Sequence, residues 1–245
     1  NSTGAGGYTN PTVKEYINIL GVTMSEVLEL IGERFDYLTL PEKYQELWNN
    51  INLPIQSQKA AHYMLPDIEK QGVLTKLSKR AYYLTTIAKK FGAKNIVEVG
   101  TAEGWQFYSF AEYCRESGGK VWSCDIEDKH DKKYHKEYSS VSCFVHGDSA
   151  KLAQQLKKEN VEIDLFYIDG SHEAGAVLRD VKNLKPFQTT DKIPIWIFDD
   201  FDERFGCYKD ISMIANAAPQ YFVYSPGKTA SNNPTHQLVV KGYFQ

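Results

Sequence analysis

The sequence lacks the features that mark membrane proteins and nucleic-acid-binding proteins. No apolar run approaches the ~20 residues that a membrane-spanning helix needs. The formal net charge is -3, so the chain has no broad basic surface for nucleic-acid phosphates. We therefore expect a small molecule as the partner, and neither a nucleic acid nor a membrane.

Cysteine is also scarce. The four cysteines are far apart, and no two of them form a C-x-x-C pair; they are Cys114, Cys124, Cys143 and Cys207. This spacing favours reduced, buried thiols in a cytoplasmic protein over disulfides or a zinc site.

The first third of the chain differs from the rest. Residues 1–10 are expected to be a flexible linker or a cloning remnant, which leaves open whether the chain is a piece of a longer protein. Residues 11–80 show mostly helical periodicity. We expect this helical region either to cover a crevice as a lid or to supply a contact in a homo-oligomer. Tyr63 and Met64 are expected to line the acceptor pocket or to pack internally.

From residue 81 onwards, apolar strands alternate with segments of helical length, which is the signature of a doubly wound parallel sheet. Strands are predicted at 95–99, 120–125, 141–146, 163–169, 194–199, 220–225 and 236–242, and helices at 104–117, 149–158, 172–183 and 206–217. Only a polar connection separates the last two strands, which is typical of an antiparallel pair. The prediction is a Rossmann-like α/β fold with a seven-stranded, mostly parallel sheet and one antiparallel strand.

A glycine turn follows the first predicted strand. Glu98 precedes Gly100 and Gly104, and a segment of helical length comes next. Such a turn can hold a ligand among free backbone N–H groups, although a plain tight turn would use the same residues. The spacing lacks the G-x-G-x-x-G pattern, which argues against nicotinamide and flavin cofactors. The Glu98 carboxylate is placed to pair with a cationic ligand amine.

Polar residues also follow the next two predicted strands. Asp125 lies about 20 residues beyond the glycine turn, the offset at which a carboxylate can hydrogen-bond ribose hydroxyls. A helix N-cap or a solvated turn residue is the alternative role for Asp125. After the third strand, Asp148 or Ser149 can cap the following helix and can also face an adenine edge.

Together these residues resemble the S-adenosylmethionine site of class I methyltransferases. The resemblance covers residues 80–245, and it assigns 81–245 to a methyltransferase domain. It implies S-adenosylmethionine as the cofactor, held by Glu98, Gly100, Thr101, Gly104 and Trp105 at the methionine end, by Asp125 at the ribose, and by Gly147, Asp148 and Ser149 at adenine. Many members carry a middle glycine where this chain has Ala102; the Gly-x-x-x-Gly spacing with Thr101 resembles the catechol-type O-methyltransferases.

A second group of polar residues is acidic. Asp169 ends the fourth predicted strand, and Asp199 and Asp200 end the fifth. Adjacent strands lie about 4.8 Å apart, so these acids can converge on one cation, and hard oxygen ligands suit Mg²⁺. A solvated acidic rim is the alternative. His172 follows Asp169 closely and is expected to act as a general base, with a helix-capping or surface role as its alternative.

This acidic pattern resembles that of the metal-dependent O-methyltransferases. The Asp-Gly-x-His form at Asp169 is closer to the enzymes that act on macrolide sugars, because the catechol enzymes typically place Asn at the position of Asp200 and use a lysine base. The resemblance implies that Asp169, Asp199 and Asp200 bind the metal and that His172, together with Asp169, performs catalysis. The predicted function is Mg²⁺-dependent methyl transfer from S-adenosylmethionine to a hydroxyl of a small molecule, such as a sugar or natural-product moiety.

Two other functions remain compatible with the same scaffold. A binding or scaffold protein could keep the cofactor fold without catalysis, although binding alone does not require Asp169, Asp199, Asp200 and His172. Some relatives of this branch are associated with hydroxylation in antibiotic pathways. The mass added to the product distinguishes a hydroxylase from a methyltransferase.

Overall fold

The computed structural model describes residues 84–85, 87–89, 91–217 and 237–245, together with the backbone of 221–228 and 234–236. The predicted linker 1–10, the predicted helical region 11–80 with Tyr63 and Met64, and the connection 229–233 lie outside the described residues.

Strands and helices alternate along most of the described chain. In order they are β1 (Asn95–Val99), α1 (Trp105–Ser117), β2 (Lys120–Asp125), α2 (His135–Tyr138), β3 (Ser142–His146), α3 (Ser149–Glu159), β4 (Leu165–Ile168), α4 (Ala176–Leu184), β5 (Ile195–Phe198), α5 (Tyr208–Ala217), β6 (Tyr221–Lys228) and β7 (Pro234–Lys241). Short 3-10 turns precede α2 and follow α4.

The predicted fold class is confirmed. The seven strands form one sheet in the order β3-β2-β1-β4-β5-β7-β6. Only β7 is reversed, because it pairs antiparallel with both β5 and β6, whereas β1 to β5 are mutually parallel. The strand order turns back between β1 and β4, and in open α/β sheets ligands bind outside the carboxyl ends of the strands at such a point.

One predicted helix begins too early, one short helix was not predicted, and the limits of β6 and β7 differ from the predicted 220–225 and 236–242 by one to three residues. The helix predicted at 172–183 begins at Ala176, so His172 lies in the preceding loop. The short helix α2 was not predicted, because a segment of this length, His135–Tyr138, is too brief to show a helical period.

Both faces of the sheet are buried. On one face, helices α3, α4 and α5 contribute side chains such as Leu156, Leu184 and Ile211 to a core that includes Phe166 and Trp196 of the strands. The latter two rings stack with their centroids 3.8 Å apart. Helix α1 covers the other face. Burial on both faces explains why β4 and β5 are continuous apolar runs.

The described helices and cysteines bear on two further expectations. Within the described residues, none of the helices has the length and apolarity required to cross a bilayer. Cys114, Cys124 and Cys207 are buried thiols, and Cys143 is a half-buried one. Burial raises the pKa of the Cys207 thiol to about 12, so this thiol is a poor nucleophile at neutral pH.

Candidate active site at the carboxyl ends of the central strands

The glycine turn lies directly against the end of β4. Gly100 has a φ of +95°, and a Cβ atom at this position would lie 1.9 Å from the backbone oxygen of Asp169. Gly104 has a φ of +90°, and its Cβ would lie 3.0 Å from the Tyr108 ring. Only glycine fits the first position, so the turn and the first of the predicted metal ligands are packed together. Trp105 opens α1 immediately after the turn and is half-buried.

Glu98 and Thr101 belong to a buried chain of hydrogen bonds beneath the turn. Ser123 of β2 donates to Oε2 of Glu98 at 2.5 Å, and its hydroxyl also lies 2.6 Å from Oγ1 of Thr101. All three side chains are almost fully buried. The chain fixes the Glu98 carboxylate in place below the turn, and its predicted pairing with a cofactor amine stays a prediction.

Asp125 is held by two backbone amides. Its Oδ2 accepts from the N–H of Ala102 at 2.8 Å, and its Oδ1 accepts from the N–H of Glu127 at 2.9 Å. No described helix begins here, so the carboxylate organises a turn and does not cap a helix. Each oxygen of a carboxylate has a second lone pair, and the half-buried Asp125 can accept further hydrogen bonds from a ligand.

Two polar residues that follow β3, Asp148 and Ser149, have different roles. Asp148 caps α3, because its Oδ1 accepts from the N–H groups of Ala150 and Lys151 at 3.1 Å each. The hydroxyl of Ser149 is buried and donates to Asp180 of α4 at 2.6 Å. Gly147 connects this loop to β2, since its N–H donates to the Asp125 carbonyl at 2.8 Å. The exposed Asp148, and not the buried Ser149 hydroxyl, therefore faces solvent beside Asp125.

The three predicted metal ligands converge. Asp169 follows β4, and Asp199 and Asp200 follow β5; one carboxylate oxygen from each lies within 4.8 Å of the others. Asp199 is 4% exposed and the other two are half-buried. Asp200 has a φ of +58°, a left-handed conformation that aspartate tolerates better than most residues. This backbone turn allows consecutive aspartates of one strand end to approach the same point.

His172 lies beside the acidic group. Its Nε2 is 2.7 Å from Oδ2 of Asp200, and its half-exposed ring lies 4.4 Å from the ring of Phe205. Its backbone carbonyl accepts from the N–H of Cys207 at 2.9 Å, which ties the two loops together. An ionised carboxylate only accepts hydrogen bonds, so Nε2 carries a proton and Nδ1 holds the lone pair of the neutral ring.

Comparison with known proteins identifies the central part of this site. A family model described as Methyltransferase domain matches residues 97–201, which span the glycine turn, Asp125 and the three converging aspartates. Over this segment the chain is similar to methyltransferase domains. The predicted resemblance to class I methyltransferases is thereby confirmed.

Solved structures share the fold of this domain. The O-methyltransferase from Bacillus cereus, solved in complex with SAH, is 15% identical with a TM-score of 0.55, covering 94% of this chain and 100% of that one. The O-methyltransferase TomG from Streptomyces achromogenes, involved in tomaymycin synthesis and solved with SAM, is 12% identical with a TM-score of 0.57, covering 93% and 99%. A SAH-bound methyltransferase from Podospora anserina is 13% identical with a TM-score of 0.52, covering 87% and 100%. No curated protein matches the chain.

Three residues near the site were not predicted. Tyr167 and Gln237 lie buried beneath the aspartates and donate hydrogen bonds to them. Ile126 follows Asp125 and is 72% exposed, an unusual position for a large apolar side chain. The sequence signal for Ile126 is its position as an apolar residue directly after the predicted ribose ligand. For Tyr167, strand alternation predicts only a core residue.

The buried carboxyl of Asp180, which accepts from Ser149 in the segment after β3, is predicted to make stability depend on pH. Burial raises the pKa of its carboxyl from 3.8 to about 6, so the folded protein holds this proton more tightly than the unfolded chain does. Stability is therefore lost as pH rises from about 4 to about 6, and the cost above that window is about 3 kcal/mol. Asp180→Asn keeps an acceptor for Ser149 without the buried charge.

We expect the free energy of unfolding of Asp180→Asn, measured by urea denaturation, to exceed that of the wild type at pH 7.5. The advantage should shrink towards pH 4, where the wild-type carboxyl is protonated in the folded state. A difference that stays the same at both pH values would contradict the role assigned to the buried charge.

Proposed function

We propose that the chain is an S-adenosylmethionine-dependent O-methyltransferase that requires a divalent cation such as Mg²⁺ and acts on a hydroxyl of a small molecule, for example a sugar or natural-product moiety. The observation that carries the proposal is the convergence of the Asp169, Asp199 and Asp200 carboxylates beside the glycine turn, with His172 in contact with Asp200.

The donor half of the proposed site would hold the cofactor. S-adenosylmethionine supplies a methyl group bonded to a positively charged sulfur. The unused lone pairs of Asp125 are placed to accept from ribose hydroxyls, and the exposed side chain of Ile126 offers an apolar surface for the adenine ring. Glu98, Gly100, Thr101, Gly104 and Trp105 form the turn proposed to receive the methionine end, and Gly147, Asp148 and Ser149 form the loop proposed to border adenine.

The acceptor half would hold the cation. Carboxylate oxygens are the ligands that Mg²⁺ prefers, and three of them so close together repel one another unless a positive charge lies between them, so the donor set fits the metal. Such an ion lowers the pKa of an acceptor hydroxyl and orients its oxygen. The contact of Asp200 with His172 occupies one carboxylate oxygen, and the second oxygen remains for the cation.

His172 would remove the proton from the acceptor. The lone pair on Nδ1 can accept it, while the Nε2 proton stays hydrogen-bonded to Asp200, which stabilises the imidazolium that forms. Asp200 therefore has two proposed roles, ligand and orienting partner of the base. The protein forms no covalent bond with either reactant in this scheme, so holding the acceptor oxygen in line with the methyl group supplies much of the acceleration.

The test is an assay of the purified chain with S-adenosylmethionine, MgCl2 and a panel of small diols, including sugars and catechols, analysed by mass spectrometry. The proposal is supported by a product whose mass shows that a methyl group has replaced one hydrogen, together with the release of S-adenosylhomocysteine. A product heavier by one oxygen atom supports the hydroxylase alternative. Cofactor binding without any product supports a binding protein, and full activity in excess chelator contradicts the cation requirement.

Substitution of the proposed base provides a sharper test. His172→Gln keeps a polar side chain near Asp200 but has no group that accepts a proton at neutral pH. We expect kcat/KM to fall about 10²-fold to 10⁴-fold, the usual contribution of a general base. Affinity for S-adenosylhomocysteine, measured by calorimetry, should not change.

His135→Gln is the matched control, because His135 is an exposed histidine at the start of α2. Its kcat/KM should equal that of the wild type. Retained turnover in His172→Gln would remove this histidine from the mechanism and leave its surface role.

A further inference from the structure

Two neutral hydrogen-bond donors lie buried directly beneath the converging carboxylates. Tyr167 belongs to β4 and Gln237 to β7, and both side chains are 0% exposed. Tyr167 is two residues before Asp169, so it points to the same face of the sheet. Gln237 pairs across from the end of β5, where Asp199 follows Phe198. The two donors come from strands on opposite sides of β5.

The Tyr167 hydroxyl lies between two of the aspartates. It is 3.1 Å from Oδ2 of Asp169 and 3.2 Å from Oδ2 of Asp199. A phenol has one proton, so it can donate to only one of these oxygens at a time while remaining within reach of both. The ring of Phe110 packs edge-on against the Tyr167 ring at 6.1 Å, which restricts where the hydroxyl can move.

Gln237 fixes the other side of the same carboxylate. Its Nε2 donates to Oδ1 of Asp199 at 3.2 Å, so both oxygens of Asp199 are contacted from below. Turning the amide over would place its oxygen against a carboxylate oxygen, which sets the orientation of the group. Among the described residues, the buried Oε1 of Gln237 then has no hydrogen-bond partner. A buried oxygen without a hydrogen-bond partner destabilises the fold, so the orientation of Gln237 is explained by the hydrogen bond that it donates to Asp199.

We propose that Tyr167 and Gln237 are positioning residues for the cation site, because together they orient the Asp199 carboxylate, and Tyr167 also orients that of Asp169, before an ion binds. The inference rests on the proposed function. Residues that hydrogen-bond metal ligands typically change metal affinity about 10-fold to 100-fold when they are removed. Tyr167 lies opposite Glu98 in the register of β4 with β1, and Tyr167→Phe keeps the ring at that position. We therefore expect cofactor affinity to change much less than metal affinity in both variants.

The experiment measures Mn²⁺ binding to the full chain by electron paramagnetic resonance, which reports free and bound ion separately. Tyr167→Phe removes only the hydroxyl, and we expect its Kd for Mn²⁺ to rise about 10-fold. Gln237→Leu removes the amide donor and should raise the Kd in the same direction. Turnover of either variant should recover at high Mn²⁺ concentration, since the ligands themselves are retained.

Tyr113→Phe is the matched control. Tyr113 is a buried tyrosine whose hydroxyl donates to the carbonyls of Ala88 and Ala93 at 3.0 and 2.6 Å, away from the aspartates. This variant should lose thermal stability but bind Mn²⁺ as the wild type does. S-adenosylhomocysteine affinity confirms that each variant is folded.

The possible failures can be told apart. Wild-type affinity in both Tyr167→Phe and Gln237→Leu would overturn the positioning role and leave the proposed function intact. A wild-type protein that binds S-adenosylhomocysteine but no Mn²⁺ would overturn both the cation site and the inference drawn from it.

Discussion

Replacing Asp169 or Asp199 by asparagine is expected to lower cation-dependent methyl transfer about a hundredfold or more, because the loss of one ligand removes several kcal/mol of transition-state stabilisation. Asparagine has nearly the same shape. At position 169 its amide oxygen can still accept from Tyr167, and at position 199 it can accept from Gln237 while its NH2 group donates to the Tyr167 hydroxyl oxygen. The variants should therefore fold, and their melting temperature without metal should equal or exceed that of the wild type, since one of three mutually repelling charges is gone.

Initial rates across a Mg²⁺ titration, together with calorimetric binding of S-adenosylhomocysteine, provide the measurement. Cofactor affinity should remain within a small factor of the wild type, because Asp125 and the glycine turn are untouched. Asp191→Asn is the control, since Asp191 is an exposed aspartate before the amino end of β5. If Asp169→Asn and Asp199→Asn keep wild-type rates and the same Mg²⁺ dependence, the acidic group is not the cation site.

A single methyl group at Gly100 is expected to have the second large effect. The Cβ of Gly100→Ala would lie 1.9 Å from the backbone oxygen of Asp169 and 2.7 Å from its carbonyl carbon, and backbone atoms of a central strand cannot move aside as a flexible side chain can. The left-handed φ adds its own strain. We expect a loss of about 4 kcal/mol in the free energy of unfolding, or no folded protein.

Gly118→Ala separates the strain of the left-handed backbone from the steric clash with β4. Gly118 also has a left-handed φ, +74°, but within the described part of the chain no atom beyond its sequence neighbours lies within 4 Å of its Cβ position. Urea denaturation should show a loss of about 1 kcal/mol for this variant, the strain of the backbone alone. Equal losses at the two glycines would show that the contact between the turn and β4 has no energetic weight. A folded Gly100→Ala should bind S-adenosylhomocysteine weakly, because relief of the clash displaces the turn.

The sequence predicts the limits of β1 and β2 and the start of α3 without error, but it misplaces the start of α4 and the end of β6. The predicted limits 95–99 and 120–125 are those of β1 and β2. Strand limits follow local apolar runs, and in a sheet buried on both faces those runs end where the strands end. Helix α4 begins at Ala176 instead of 172 because the group that caps its first turn is Asp210, a residue on another helix. Local capping rules contain no information about such a partner.

In the site, too, features that follow from local sequence were predicted, and features that depend on residues far apart in the chain were not. The convergence of Asp169, Asp199 and Asp200 was predicted, because acids that end neighbouring parallel strands must meet at one edge of the sheet. The roles of Tyr167 and Gln237 were not, because they depend on which strand lies beside which. β7 neighbours β5 although the two are far apart in the chain. Ser149 was likewise expected at the adenine edge, whereas its hydroxyl is buried against Asp180.

The capping of α4 by Asp210 has a consequence for the order in which the molecule folds. The N–H groups of Gly175 and Val177 donate to the Asp210 carboxylate at 3.0 and 3.2 Å across 35 and 33 residues of chain. The loop that these bonds close has to lose its freedom before the first turn of α4 is satisfied, and that entropic cost delays the event relative to local contacts. The position of the first turn of α4, and of the segment bearing His172 that precedes it, therefore depends on the docking of α5.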